Sequence, residues 1–350
     1  MAGSPAISIV TFLREPAFRT TEQFFKMKIF RFRQQLKHPA ALHDKTVTFR
    51  EGLYFFKNGS WGECSPLPGF SGETLEDVIS SGFNPEYPSV ALALSFLDRD
   101  IAPAAPESSY TYIGNSADLE QYLNEDDGCT CSSGHSIPSV CIHDDQENLT
   151  VPPDIFPFEK IFSDMKVKTA SKKAERRTEH PVFKLKVGRN SCSSESSAVH
   201  RLLNRNPDSK FILDPNMLWN ERTAEEFLSS IPTDTVLYIE DPASDLKTSL
   251  KISDRFNIKL GLDELLRQFS ISDVPEKALG AVVIKPMLTG SLEKCEEIIT
   301  RAADRNLYVT ISSSYESILG LGLLSSWSRE IRQKNGEHIL LGLDTEKIFL

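Results

Sequence analysis

The chain has 350 residues, 40% hydrophobic and 25% charged, which fits roughly two ordinary globular domains and excludes a wholly disordered chain. Its 39 Lys and Arg against 49 Asp and Glu leave a net charge of -10. That balance argues against a nucleic-acid surface and against anionic lipid, because phosphates call for basic stripes. No apolar run approaches the ~20 residues of a membrane helix. The N-terminal MAGSPAISIVTFLREP carries its charges after its apolar stretch, the reverse of a secretory signal. The expectation is a cytoplasmic protein with a small-molecule partner and no obligate protein partner.

Residues 1–100 read as an α+β unit. MKIFRFRQQL from Met27, TVTFREGLYFF from Thr46 and WGECSP from Trp61 have the look of antiparallel strands. Helical patterns follow at Leu75 to Ser81 and Ser89 to Leu97. From 101 to 136, with the shift starting at Arg99, Pro, Ser, Asp and Gly dominate, so a loop-rich connection is expected. It contains Cys129-Thr130-Cys131, with His135 and His143 beyond. Those cysteines stand closer than the two-to-four-residue spacing of zinc sites, and they read as loop cysteines.

From 137 to 350, β-branched runs alternate with helical stretches. The runs are IPSVCIH from Ile137, PVFKLKV from Pro181, KFILDPN from Lys210 and VLYIEDP from Val236. IKLGLDE from Ile258, AVVIKPM from Ala281, LYVTISSS from Leu307 and HILLGLD from His338 complete eight. Between them, Phe158, Ile161, Phe162 and Met165 fall at helical spacing behind Pro157. Thr223 and Glu226 make a capping-box pattern before Phe227 and Leu228, and Leu292 to Arg305 is amphipathic. Eight strands alternating with helices predict a parallel sheet closed as a TIM-type barrel, a doubly wound open sheet being the alternative.

The strand ends carry the chemistry. Side chains alternate along a strand, so Lys184 and Lys186 face one side while Phe183, Leu185 and Val187 face the other. An edge strand with solvated lysines is the bland reading of that pair alone. Asp214, Glu240 and Asp263 each follow an apolar run on successive strands, with Asn216 and Glu264 two and one residues beyond their neighbours. Any single carboxylate there is by default a helix cap. Three around one point repel without a cation, and oxygen donors favour a hard ion, Mg²⁺ first with Mn²⁺ as the alternative. Lys285 ends the next strand, across the barrel from the lysine pair. Such a site suits removal of a proton next to a carboxylate, with a lysine as base.

At FKLKVG, LDPN, IEDP, LDE, IKPMLTGSLEK and ISSSYESILGLG the chain resembles the o-succinylbenzoate synthases of the enolase superfamily. REGLYFF, WGECSPLPGFSGET and PSVALALSF resemble that family's capping domain. The resemblance implies an enolase-superfamily modified TIM-type (β/α)7β barrel with an N-terminal α+β capping domain. It implies Mg²⁺-dependent syn-dehydration of 2-succinyl-6-hydroxy-2,4-cyclohexadiene-1-carboxylate to 2-succinylbenzoate, in menaquinone biosynthesis. In that scheme Lys186 is the base, Lys184 tunes it, and Lys285 stabilises the enediolate from the other face. Asp214, Glu240 and Asp263 hold the metal, and Asn216 and Glu264 support the site. Ser312 and the Gly342-Leu343 backbone hold the succinyl carboxylate. The chain departs from the family pattern between 101 and 136, and IPSVCIH is a weak first strand. A racemase of N-succinylamino acids, a dipeptide epimerase or a catalytically retired metal-binding barrel are the alternative readings. The loop Ser65 to Ser71, with two prolines and Phe70, is expected to cover the barrel mouth; a surface turn with Phe70 tucked into its own domain is the alternative.

Overall fold

The computed structural model describes residues 7–12, 27–42, 45–124, 139–142, 181–343 and 345. The first sheet contains β1 (Ile7–Phe12), β2 (Lys28–Leu42), β3 (Lys45–Lys57) and β4 (Ser60–Cys64), paired antiparallel in sequence. Asn58 and Gly59 both take positive φ between β3 and β4, the two-residue hairpin turn whose twist matches the strands. Helices α1 (Leu75–Ser80) and α2 (Pro88–Arg99) follow, as the hydrophobic spacing predicts.

Around β3 and β4 both faces of this sheet carry buried side chains, and the two-residue period sorts them. Ile29, Leu53 and Phe55 pack with Val78, Val90 and Ala93 under the helices. Phe30, Phe32, Tyr54 and Trp61 instead join a core that contains Leu262, Met287, Ile318 and Leu323 of the second sheet's unit. Each such fully buried aromatic contributes roughly 2–3 kcal/mol of transfer free energy, so the two units are held by a shared apolar core.

The second sheet has eight parallel strands: β5 (Thr111–Ile113), β7 (Val182–Lys186), β8 (Lys210–Asp214), β9 (Val236–Glu240), β10 (Leu260–Leu262), β11 (Leu279–Ile284), β12 (Tyr308–Ser312) and β13 (Ile339–Gly342). Their spatial order follows chain order without reversal. A doubly wound sheet reverses at a switch point, so this order rejects the open-sheet alternative. Residues just before β5 close the seam to β13: the Ser109 amide donates to Leu341 O at 2.7 Å, and Ser108 bridges Gly342. The connecting helices include α4 (Cys192–Arg205), α5 (Glu221–Leu228), α6 (Leu246–Phe256), α8 (Leu292–Ala303) and α9 (Ile318–Asn335), with a one-turn α7 (Pro286–Thr289) after β11. Ser191, Asn220, Asp245, Ser291 and Ser317 cap the five longer ones.

Three expectations need correction. The run at Ile137 is not a barrel strand: its Ser139–Ile142 segment, β6, pairs parallel with β1 in the first sheet. The first barrel strand is β5, inside the segment read as loop-rich, and it is followed there by α3 (Ser116–Asn124). Three residues, Thr-Tyr-Ile, are too few to stand out against Pro- and Ser-rich flanks. The capping box of α5 is Asn220 with Thr223, so Thr223 takes the third helical position instead of the cap. The helix expected around Phe158 to Met165, and Cys129, Cys131, His135 and His143, lie outside the described residues.

Candidate active site

Alternation along each strand gives inward columns that change character toward the C-terminal ends. Ile212 precedes Asp214, Tyr238 precedes Glu240, and Ala281 lies below Lys285. The lower layer, with Tyr110, Ile212, Tyr238, Ala281 and Leu340, is a packed core closed across the barrel by a 2.8 Å hydrogen bond between the Tyr238 and Thr310 hydroxyls. Above it stands a layer of ions. The outward residues Phe183, Leu185, Phe211, Leu213 and Ile239 pack against the helices, which forces their neighbours inward.

Lys184 is buried and pairs with Asp214 at 3.1 Å and with Glu240. Lys186 Nζ donates to Asp214 Oδ2 at 2.6 Å and to Asn216 Oδ1 at 2.7 Å. Asn216, in a left-handed turn after β8, also accepts from Arg189 Nη2 at 2.8 Å. Lys285 Nζ lies 2.6 Å from Asp263 Oδ2 and 3.9 Å from Glu264 Oε1. The structure thus brings together Lys184, Lys186, Lys285, Asp214, Glu240, Asp263, Asn216 and Glu264. The strands β7 and β11 are four places apart in an eight-stranded barrel, so Lys186 and Lys285 face each other across it. Phe70 stands over this rim, its ring centre 5.8 Å from Lys285 Nζ.

The electrostatics separate the two neighbouring lysines. Burial pulls Lys184 down, but Glu240 and Asp214 outweigh it and hold the ammonium well above its ordinary range. Lys186 ends lowered: burial and Lys184 overcome the carboxylates that face it. Asp214 is held far below the usual carboxylate range because Lys184 and Lys186 outweigh its burial. Glu240 is pushed up to about 7 by burial, with Asp214 and Asp263 adding to the rise and Lys184 opposing it. Its Oε1 is buried and has no hydrogen-bond partner.

Among the described residues, no three His, Cys, Asp or Glu side chains form a ready metal cage. The ammonium groups occupy that role: Lys184 bridges Asp214 and Glu240, and Lys285 holds Asp263. The donor chemistry still fits a hard cation: Asp214 and Glu240 share one ammonium, Asp263 acts on Glu240 through its charge, and one buried Glu240 oxygen is left without a donor.

On the other side of the rim Ser312 ends β12 beside Gly342. The Gly342 carbonyl accepts from the Ser313 amide at 3.2 Å, and the Leu343 amide donates to Glu107 O at 3.3 Å. Those two backbone groups are therefore already engaged. A Cβ on Gly342 would collide with the Tyr110 hydroxyl, which explains the glycine. Two residues were missed from the sequence. Tyr112 pairs in register with Lys184 and so faces the mouth, where it is 43% exposed; it went unseen with β5. Asp241 accepts from the amides of Asp263 and Leu265 at 3.2 and 2.9 Å and so orients the turn carrying Asp263. Its signal was the acid next to Glu240 in IEDP.

Residues 167–330 match a family model described as Enolase C-terminal domain-like. That match takes in strands β7 to β12 of the second sheet. Over 317 residues the chain is 29% identical to an o-succinylbenzoate synthase of Escherichia coli O6:K15:H31, covering 85% of this chain and 85% of that protein. It is 28% identical, with the same coverage, to an o-succinylbenzoate synthase of Citrobacter koseri. In fold it is similar to the o-succinylbenzoate synthase of Thermosynechococcus elongatus BP-1, solved with Mg in its active site, at TM-score 0.62 and 17% identity, covering 91% and 93% of the two chains. The L-Ala-D/L-Glu epimerase of Bacillus subtilis is similar at TM-score 0.56 and 14% identity, covering 93% and 90%. Among the described residues, no helix is long and apolar enough to cross a membrane.

Proposed function

We propose that this chain is an o-succinylbenzoate synthase: it dehydrates 2-succinyl-6-hydroxy-2,4-cyclohexadiene-1-carboxylate to 2-succinylbenzoate in menaquinone biosynthesis. The observation that carries the reading is the pair of opposed lysines, Lys186 and Lys285, flanking carboxylates on the three intervening strands. The named relatives support the choice of substrate.

Asp214, Glu240 and Asp263 would hold Mg²⁺, exchanging their ammonium contacts for it. When bound, the ion supplies positive charge to the substrate carboxylate as the neighbouring carbon loses its proton. Lys186 Nζ takes that proton, since its lowered affinity favours the neutral amine that a base requires. Asn216 Oδ1 and Asp214 aim the amine. The proton then assists the departing hydroxide on the same face, which gives the syn course. Lys184 stays charged and keeps Lys186 from holding its proton too tightly. Lys285, held by Asp263 on the far side, presents a fixed cation to the developing negative charge.

Opposed lysines also suit epimerisation, where each would serve one face of the same carbon. The product separates the two readings. Incubating the protein with the cyclohexadiene substrate and Mg²⁺ should produce the ultraviolet absorbance of an aromatic ring. Turnover of N-succinylamino acids or dipeptides without any dehydration would overturn the proposal.

A further inference from the structure

The barrel-facing side of the first sheet carries two buried ions as well as its aromatic residues. Arg50 on β3 and Glu63 on β4 are both almost fully buried, and both point at the loop between β12 and α9. Neither touches the ion layer of the site. Arg50 donates Nη1 to Pro66 O at 3.0 Å, Nη2 to Ser65 O at 2.8 Å and Ser314 O at 3.5 Å, and Nε to Tyr315 O at 3.2 Å. One guanidinium thus grips the start of the Phe70 loop and the segment just after Ser312.

Glu63 completes the joint from the next strand. Its Oε1 accepts from the Ser65 hydroxyl at 2.7 Å and the Ser317 amide at 3.0 Å. Its Oε2 accepts from the Ser317 hydroxyl and, at 3.0 Å, from the Gly320 amide. A carboxylate from the first sheet therefore satisfies the open amides at the start of α9. A Cβ on Gly320 would collide with it, which is why the helix tolerates a glycine there. The Ser65 amide also points to Met287 Sδ at 3.4 Å, two residues beyond Lys285. The same joint borders both the Lys285 side and the Ser312 side of the mouth.

We propose that Arg50 and Glu63 are positioning residues for substrate binding, setting the Phe70 loop over Lys285 and fixing the segment after Ser312. The proposal rests on the substrate reading above for its kinetic consequence only. A residue that served the fold alone would bond within its own sheet; the side-chain hydrogen bonds of Arg50 go to loop carbonyls of two separate segments. The fork geometry matters, because its three nitrogens reach four carbonyls, and a lysine reaches fewer with a single nitrogen.

Arg50→Lys in the full chain, with Mg²⁺ present, tests this. Amide hydrogen exchange should rise in 65–71 and 313–320 and stay parental in β7, β8 and β9. KM should rise about tenfold or more, kcat should stay within about threefold, and the pH at half-maximal kcat should not move. Glu63→Gln, which keeps the shape but turns an acceptor into a donor facing amides, should give the same pattern if Arg50→Lys fails to fold. Parental exchange in both loops overturns the proposal. So does an increase spread evenly through the barrel, or a loss confined to kcat. If the parent chain does not turn over the cyclohexadiene substrate, the function reading falls while the exchange measurement still decides the joint.

Discussion

The two sides of the barrel mouth are built on opposite principles. From β7 to β11 the rim carries Lys184, Lys186, Asp214, Glu240, Asp263 and Lys285, packed so closely that pairs share ions and one carboxylate oxygen is left without a donor. Across the seam, β12, β13 and β5 end in Ser312, Gly342 and the mouth-facing Tyr112, with no charge among them. Burying charge is costly without full pairing, so the first side is unstable electrostatically in a way that a core would not tolerate. The second side is small, neutral and aromatic. Under the proposed function the charged side would carry the chemistry, and the neutral side would face the body of the substrate.

Breaking the charged side should have the largest effect. Lys186→Ala removes the only one of the three rim lysines whose proton affinity is lowered. Loss of such a base costs about 10²–10⁴-fold in kcat, more if one amine serves both proton steps. The fold should survive, since the side chain sits at a strand end and its outward neighbours hold the strand. In the parent, kcat/KM should rise with pH through a value below the ordinary lysine range, because the neutral amine is the active form. More than about a tenth of parental turnover in the variant rules Lys186 out as the base.

The same side should also govern metal and pH. Asp214→Ala, Glu240→Ala and Asp263→Ala should each weaken Mg²⁺ binding, measurable by calorimetry, and a chelator should stop turnover until Mg²⁺ is restored. Without metal, Glu240 is raised from 4.5 to about 7 and Asp241 from 3.8 to about 8, burial being the first cause in both. The folded chain then holds protons that the unfolded chain has released, so their contribution falls as pH rises from about 4 to 8. Asp214, held low, adds stability throughout that window and loses it only in acid. Chelated protein should therefore gain more in Tm from Mg²⁺ at pH 8 than at pH 5.5. Equal gains would mean that the raised carboxyls are not coupled to the metal.

How much of this was readable beforehand follows the same division. The charged side was legible because each of its groups ends a run of apolar residues, and an ion after such a run has few places to go. Seven barrel strands were legible for the same reason. Strand β5 was not, since three residues carry almost no periodic signal, and Tyr112 was lost with it. The segment Ser139–Ile142 has the right composition for a buried strand, but composition does not say which sheet it joins. Arg50 and Glu63 stand within TVTFREGLYFF and WGECSP, which read as strands, but a strand pattern alone does not say that either charge is buried. Only the packing of a second buried face on the first sheet turns them inward.

The smallest effect is expected where the two sides meet. Phe70 comes from the first sheet's loop, and its ring stands 5.8 Å from Lys285, so the alternative of a ring turned away into its own domain is not what the structure contains. The loop is pinned at its base, where the Phe70 and Ser71 amides donate to Leu67 O at 3.0 and 2.9 Å. Leu67 itself is buried, so truncating Phe70 leaves the loop's anchor intact. The ring carries no acid or base. Under the proposed function its apolar cover would serve ground state and transition state alike, which would appear in KM more than in kcat. It also lies within cation–π distance of Lys285, an attraction of about 0.5–2 kcal/mol that steadies the ammonium. Phe70→Ala should thus raise KM several-fold and lower kcat less, while Phe70→Leu should recover most of the KM if cover is what counts. A fall in kcat with KM unchanged, repeated in Phe70→Leu, would show instead that the ring acts through Lys285 and belongs with the charged side.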